Sequence, residues 1–235
     1  MSRLFAFGDS VRFDAGACAT IQNGAHTMAY LIKPVSCRGG FYDSYDASNV
    51  RRYGVNPFDN NIFMNTQATG FQSFDYSSIF SFWGIVGWSK SAAIEPFRYH
   101  IYSYFSNTWV HNTILGQGNM ASGSGSATTF RIGSFDGAQS YEGNLAVSGY
   151  WTGRVLTDGE FETLPAALSN WVDLSPSVLL DWHNPVATPI VDIMGSGANQ
   201  FQITGTTDDI GDDPPGFDYS LSTPAVSQRF LPFFA

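Results

Sequence analysis

The chain has 235 residues, of which 43% are hydrophobic and 16% aromatic but only 13% charged, and its net charge is −9. A chain of this length suits one all-β domain, and this much apolar material excludes disorder throughout. With only two lysines, Lys33 and Lys90, and Arg51-Arg52 as the densest basic group, neither nucleic acid nor an anionic membrane is expected as a partner.

The N-terminal segments Leu4-Phe5-Ala6-Phe7 and Val11-Arg12-Phe13 flank a turn at Gly8-Asp9-Ser10. His26 to Lys33, stopped by Pro34, reads as a core strand. Residues 36–60 are turn-rich and read as loops with weak strands. Ile79 to Lys90, carrying Phe80, Phe82, Trp83, Ile85, Val86 and Trp88, reads as one long buried strand. From Phe97 to Phe105, Phe97, Tyr99, Ile101 and Ser103 alternate with Arg98, His100, Tyr102 and Tyr104, which predicts a strand with a partly aromatic outer face.

Gly116 to Ser126 is a Gly/Ser-rich loop, and it lacks the Gly-Lys-Ser/Thr that a phosphate cradle needs. Thr128 to Gly133 and Asn144 to Trp151 read as two further strands. Thr157 with Glu160 three residues on is a capping box that opens one short helix through Phe161 and Leu164, cut short or kinked by Pro165. Val178 to Trp182 is one more strand. Beyond Val191 come an acidic stretch (Asp208, Asp209, Asp212, Asp213) and an apolar end. Phe230, Leu231, Phe233 and Phe234 there are candidate subunit contacts, packing on their own domain or on a neighbour.

No run of about 18 apolar residues predicts a membrane span, and Met1 to Asp9 lacks the apolar stretch of a secretory leader. Cys18 and Cys37 carry no framework pattern, so two thiols and one disulfide both remain open.

Phe130-Arg131-Ile132-Gly133, Tyr141-Glu142-Gly143, Leu145, Val147, Tyr150, Trp151-Thr152-Gly153-Arg154, Leu156-Thr157-Asp158-Gly159-Glu160 and Leu164 follow one another in the order and spacing of the laminin-G-like domains of the concanavalin A-like lectin superfamily. Thr27 to Pro34 resembles that family's strand ending Lys-Pro, and Asp9-Ser10-Val11 its opening turn. The resemblance covers about residues 3–182 and implies an all-β jelly-roll sandwich with one short helix, residues 1–182, and a C-terminal extension, residues 183–235. Val191 to Tyr219 is similar to the ending of minor tail proteins of phages of actinobacteria, which implies a virion structural protein; the leaderless Met1 to Asp9 adds the expectation of synthesis in the host cytoplasm.

Most of the matching residues have structural tasks. Gly133 and Gly143 suit positive-φ turns, Trp151 a ring under the sheet with its indole N–H on a carbonyl, and Arg154 a partner in Glu160 or in backbone carbonyls.

Chemistry has few candidates. The Glu-x-Asp-x-x-Glu string of sandwich glucanases is missing, and the chain has four glutamates, Glu95, Glu142, Glu160 and Glu162, so no catalytic residue is expected. Calcium could be held by Asp43 with Asp46, by Asp59 with Asn60 and Asn61, or by the Asp208–Asp213 stretch, though none has the spacing of a calcium loop. The four histidines, His26, His100, His111 and His183, are scattered, and no transition-metal site is expected. Sugars stack on aromatic rings. Tyr42, Tyr45 and Tyr53, read as loop residues, and Trp109 are the candidate carbohydrate contacts, with Tyr102 and Tyr104 on one strand face leading to Trp109.

The expectation is a non-enzymatic, tail-associated virion protein that uses a lectin-like module for assembly or host-glycan adhesion. Its partners would be other virion proteins, copies of itself and host cell-wall glycan. A capsid decoration protein, a secreted carbohydrate-binding module and a glycoside hydrolase are the alternatives.

Overall fold

The computed structural model describes residues 2–6, 8–21, 24–36, 40–48, 51–58, 61–66, 71–91, 97–115, 126–133, 141–183, 190–196, 200–204, 208–209 and 212–221. In chain order the strands are β1 (Arg3–Phe5), β2 (Ser10–Asp14), β3 (His26–Ser36), β4 (Gly40–Tyr45), β5 (Arg51–Phe58), β6 (Asn61–Thr66), β7 (Phe71–Asp75), β8 (Gly84–Lys90), β9 (Arg98–Ser103), β10 (Thr108–Thr113), β11 (Thr129–Gly133) and β12 (Glu142–Thr152). The helices α1 (Asp158–Phe161) and α2 (Leu168–Asp173) follow. Then come β13 (Val178–Asp181), β14 (Val191–Asp192), β15 (Gln200–Thr204) and β16 (Asp208–Asp209).

The strands make two antiparallel sheets. The first runs β10-β9-β8-β3-β12-β1-β16, with β13 sharing an edge of β12 with β1, and β14 beyond β13. The second runs β15-β2-β11-β4-β5-β6-β7. This is an all-β sandwich of two sheets with short helices, the fold class that the sequence motifs imply. Beyond residue 182 the chain adds β15 to the second sheet, against β2, and β16 to the first, against β1. Phe230, Leu231, Phe233, Phe234, Cys37 and Gly116 to Gly125 lie outside the described residues; Cys18 is buried with a free thiol.

Strand faces follow from what covers them. In β3, Met28, Tyr30 and Ile32 point into the space between the sheets, whereas Ala29 and Leu31 point outward into a second apolar layer. β8 and β13 repeat this, with Val86, Trp88, Val178 and Leu180 inward and Ile85 and Leu179 outward. Both faces are dry, so these strands read as continuous apolar runs and not as alternation. The edge strand β10 alternates exposed and half-buried positions along its length.

The second apolar layer lies under α1 and α2. Thr157 and Glu160 form the expected capping box: the Glu160 N–H donates to Thr157 Oγ1 at 3.3 Å and the Thr157 N–H to Glu160 Oε2 at 2.8 Å. The Trp151 indole N–H donates to the Leu174 carbonyl at 3.0 Å. Arg154 donates to that same carbonyl and pairs with Glu160 at 2.5 Å, so it fills both roles expected of it. Gly133 sits at φ +107°, where a Cβ would stand 2.4 Å from the Asp9 carbonyl oxygen.

Two expectations are corrected. Residues 36–60, read as loops with weak strands, contain β4 and β5, and β6 and β7 follow, because burial of Tyr42, Tyr53, Val55, Ile62 and Met64 outweighs the low strand propensity of the surrounding Gly, Asn and Asp. The strand expected from Ile79 begins only at Gly84. A 3-10 turn at Ser77–Ile79 and Ser81 at φ +62° precede it, and Phe82 is exposed. β10 was not foreseen. α1 is cut short before Pro165, as expected, and a second short helix, α2, starts at Leu168.

Candidate functional site

The turn at residues 104–107 folds β10 back on β9, so that Trp109 lies opposite Tyr102 and His111 opposite His100. Directly opposed residues share a sheet face, and this face is the outer one, beside α1. The hairpin, the segment from Glu162 to Ala166 and Pro215 enclose a cleft of about 520 Å³ lined by Tyr102, Tyr104, Asn107, Trp109, Glu162 and Pro165 among others. It adjoins a second hollow of about 420 Å³ that shares Tyr104 and Pro215 and adds Phe82, Trp83, Phe105, Lys33 and Asp212.

The rings of this surface are held from behind. Tyr102 Oη donates to Asn107 Oδ1 at 2.7 Å and Tyr104 Oη to the Pro165 carbonyl at 2.6 Å. Trp109 stacks on the His111 ring at 5.0 Å and 11°. Phe82 and Phe105 stack on each other at 4.4 Å and are both exposed. Trp83 donates its indole N–H to Asp212, which also pairs with Lys33. The result is an aromatic surface with amide, carboxylate and backbone groups between the rings.

Behind Trp109 lies a polar knot. His100 Nδ1 and His111 Nδ1 are 2.8 Å apart, and Asp158 Oδ1 lies 3.6 Å from the first and 3.7 Å from the second. Arg98 grips both oxygens of Asp158, through Nε at 2.8 Å and through Nη2, and holds its carboxyl below the usual carboxylate range. His111 Nε2 faces Glu162 at 3.5 Å.

His100 is buried, with Phe161 stacked on it at 3.7 Å. Burial, and then the neighbouring His111, pushes its pKa down to about 3. Phe161 can lie so close to the sheet because residue 87 is glycine: a Cβ there would stand 2.4 Å from the ring.

Of the sequence-predicted carbohydrate contacts, only Trp109 stands in this cleft. Tyr42 and Tyr53 are corrected: both lie on strands, β4 and β5, with 0% and 1% exposure in the inter-sheet core, where Tyr42 packs against Phe130, Tyr150 and Tyr53, and Tyr53 also against His26. A ring with no exposed face cannot receive a sugar. Tyr45 ends β4 on the second sheet, with the Arg131 guanidinium over its ring at 5.4 Å, away from the cleft.

The calcium candidates are engaged by other groups. Asp43 pairs with Arg51 at 2.6 Å, Asp46 with Arg52, and Asp213 accepts the Ser2 N–H at 2.9 Å. Asp59 and Asn60 are outside the described residues. Sequence reasoning missed the convergence of His100, His111, Asp158 and Glu162. The polar turn that includes Ser106-Asn107 was the available signal, because a hairpin centred between Phe105 and Ser106 pairs residue 100 with residue 111.

No protein-family model matches the sequence, and no curated protein matches it. Solved structures do. The LG4-5 domains of the mouse laminin alpha1 chain align at 10% identity and TM-score 0.40, over 60% of this chain and 40% of that one. A native heptameric SAP-like pentraxin from Limulus polyphemus aligns at 13% identity and TM-score 0.46, over 85% of this chain and 89% of that one. Full-length tailspike protein 2 of the Escherichia coli O157:H7 bacteriophage CAB120 aligns at 13% identity and TM-score 0.40, over 62% of this chain and 21% of that one. The chain thus spans less than half the length of the laminin and tailspike chains.

Proposed function

We propose that this chain is a non-enzymatic, tail-associated virion protein whose lectin-like sandwich holds host cell-wall glycan in the cleft between the β9–β10 hairpin and the segment from Glu162 to Ala166. The observation that carries the reading is the cleft itself: Tyr102, Tyr104 and Trp109 line it, each anchored by a hydrogen bond or a stack. Sugar rings offer apolar C–H faces that stack on such rings, and hydroxyls that amides and carboxylates orient. The adjoining hollow with Phe82, Trp83 and Phe105 extends the same surface, which suits a polymer of several sugar units.

Among the described residues, Glu162 is the single carboxylate lining the larger cleft, and Asp212 in the adjoining hollow is engaged by Lys33 and the Trp83 indole, whereas glycoside hydrolysis ordinarily uses a pair. That supports binding over cleavage. The virion assignment draws on the likeness of Val191 to Tyr219 to phage minor tail proteins, and its partners are other virion proteins and copies of this chain.

Titration of solubilised host cell-wall polysaccharide against the protein, followed by tryptophan fluorescence, tests the glycan half. Saturable quenching that disappears in Trp109→Ala is expected. Unchanged binding by Trp109→Ala, or none by the wild type at millimolar sugar, overturns it. Immunogold labelling of intact particles tests the location: label on the tail is expected, and unlabelled tails refute it.

A further inference from the structure

We propose that His100, His111 and Asp158 form a binding site for one divalent first-row transition cation, with Zn²⁺ as the type ion, pinning the β9–β10 hairpin to α1. The two Nδ1 atoms and Asp158 Oδ1 make a triangle with sides of 2.8, 3.6 and 3.7 Å. A point equidistant from the three lies about 2.0 Å from each, which is the length of Zn–N and Zn–O bonds. Among the described residues, this is the one group of three such side chains whose ligand atoms converge to within 4.8 Å.

A metal-bound imidazole donates its other ring N–H to an acceptor. In the tautomer that carries the proton of each ring on Nε2, each Nδ1 offers its lone pair to that point. His100 Nε2 then has Ser89 Oγ at 3.4 Å, and His111 Nε2 lies 3.5 Å from Glu162 Oε1 without a hydrogen bond between them. A proton shared between the two Nδ1 atoms engages the histidines alone, whereas a cation at that point engages Asp158 Oδ1 as well.

Arg98 takes one lone pair of each Asp158 oxygen and fixes the carboxylate plane, and Oδ1 keeps another lone pair toward the histidines. Phe161 against His100 and Trp109 against His111 lock both rings. Two imidazoles and one carboxylate favour a borderline cation over Ca²⁺, which takes six to eight oxygens. Asp158 is 39% exposed on its side chain, so a further coordination position faces solvent. The site does not depend on glycan binding, because its ligands lie behind the cleft wall.

The test uses full-length protein without a histidine tag, stripped with a chelator and titrated by calorimetry with ZnCl₂ in the absence of sugar. One Zn²⁺ per chain is expected, with affinity falling at least about tenfold in His111→Ala and in Asp158→Ala, since loss of even an outer-shell partner costs that much. Both positions are partly exposed, so circular dichroism can confirm that the variants fold. Co²⁺ titration supplies a second readout: visible d–d bands are expected in the wild type and not in His111→Ala. Wild-type protein that takes up no stoichiometric Zn²⁺ at 100-fold excess, or variants that bind as the wild type does, would overturn the proposal.

Discussion

The molecule carries two sets of aromatic side chains on similar strands, and they have opposite fates. Tyr30, Tyr42, Tyr53, Trp88, Tyr150 and Trp182 lie between the two sheets, each at most 1% exposed. Tyr104 and Trp109, half-buried, and Tyr102, 8% exposed, lie on the outer face of the first sheet at the β9–β10 edge and line an open cleft. Neighbouring positions on that same outer face, such as Leu31 and Ile85, are dry because α1 and α2 cover them. The difference is one of cover and not of composition. The cap reaches the edge hairpin at His100 and His111 and leaves the cleft beside Tyr104 and Trp109 open, so the same residue types serve as core in one place and as a recognition surface in the other.

Mutations should separate the two sets by their effect on stability. Trp182 stacks edge-on against Phe5 and Phe13 and donates its indole N–H to Ser148. Trp182→Ala is expected to cost about 3–5 kcal/mol, read as a drop in the denaturation midpoint; a loss below about 1 kcal/mol would mean that the inter-sheet core is not the main source of stability.

Gly87→Ala probes the boundary between the sets. The new methyl would meet the Phe161 ring and the Met28 carbonyl oxygen. Overpacking of about 1–3 kcal/mol is expected, together with faster amide exchange across the β9–β10 hairpin than in β4 and β5. Equal change in both regions would break the distinction.

His26 offers a pH test of the inner set. Its ring lies against Tyr53 and Phe97, and burial pushes its pKa down to about 4. The unfolded chain therefore binds a proton below about pH 6.5 that the folded one refuses until about pH 4. Stability from this group is complete at neutral pH and is lost as pH falls through that window, on the order of 2 kcal/mol between pH 7 and pH 5. His26→Gln should flatten the slope of unfolding free energy over that range; an unchanged slope would show that His26 does not carry it.

The smallest expected effect belongs to the outer set. Trp109→Ala should change stability by only about 1–2 kcal/mol, because the half-buried ring gives up its contacts with His111, Tyr102 and Phe161 and leaves the inter-sheet core intact, while glycan binding disappears. If its stability cost approached that of Trp182→Ala, Trp109 would be core and the cleft reading would fail.

Much of the fold was legible. Phe130 to Leu164 identified the sandwich, because positive-φ glycines, an indole seeking a carbonyl and a capping box are local requirements that a sequence states directly. The second sheet's β4 to β7 were less so, since Asn, Asp and Gly lower propensity while long-range burial of Tyr42 and Val55 decides the outcome. For the site, Trp109 was found by residue type, but Tyr42 and Tyr53 were placed in loops, because an aromatic ring carries no mark of which face will be covered. His100 and His111 looked scattered, since eleven residues separate them, and only the hairpin register makes them neighbours.

The sequence by itself determined the all-β class, the capped start of α1, the tasks of Trp151 and Arg154, and the alternation that gives β9 an aromatic outer face. These follow from period, turn chemistry and spacing within a few residues. Tertiary structure alone decided which tyrosines are core and which line a cleft, and that Asp158 of α1 meets two histidines of a hairpin. Those outcomes depend on where the cap lands on the sheet, and its resting place is set by Gly87, Phe161 and Pro165 acting together across the fold.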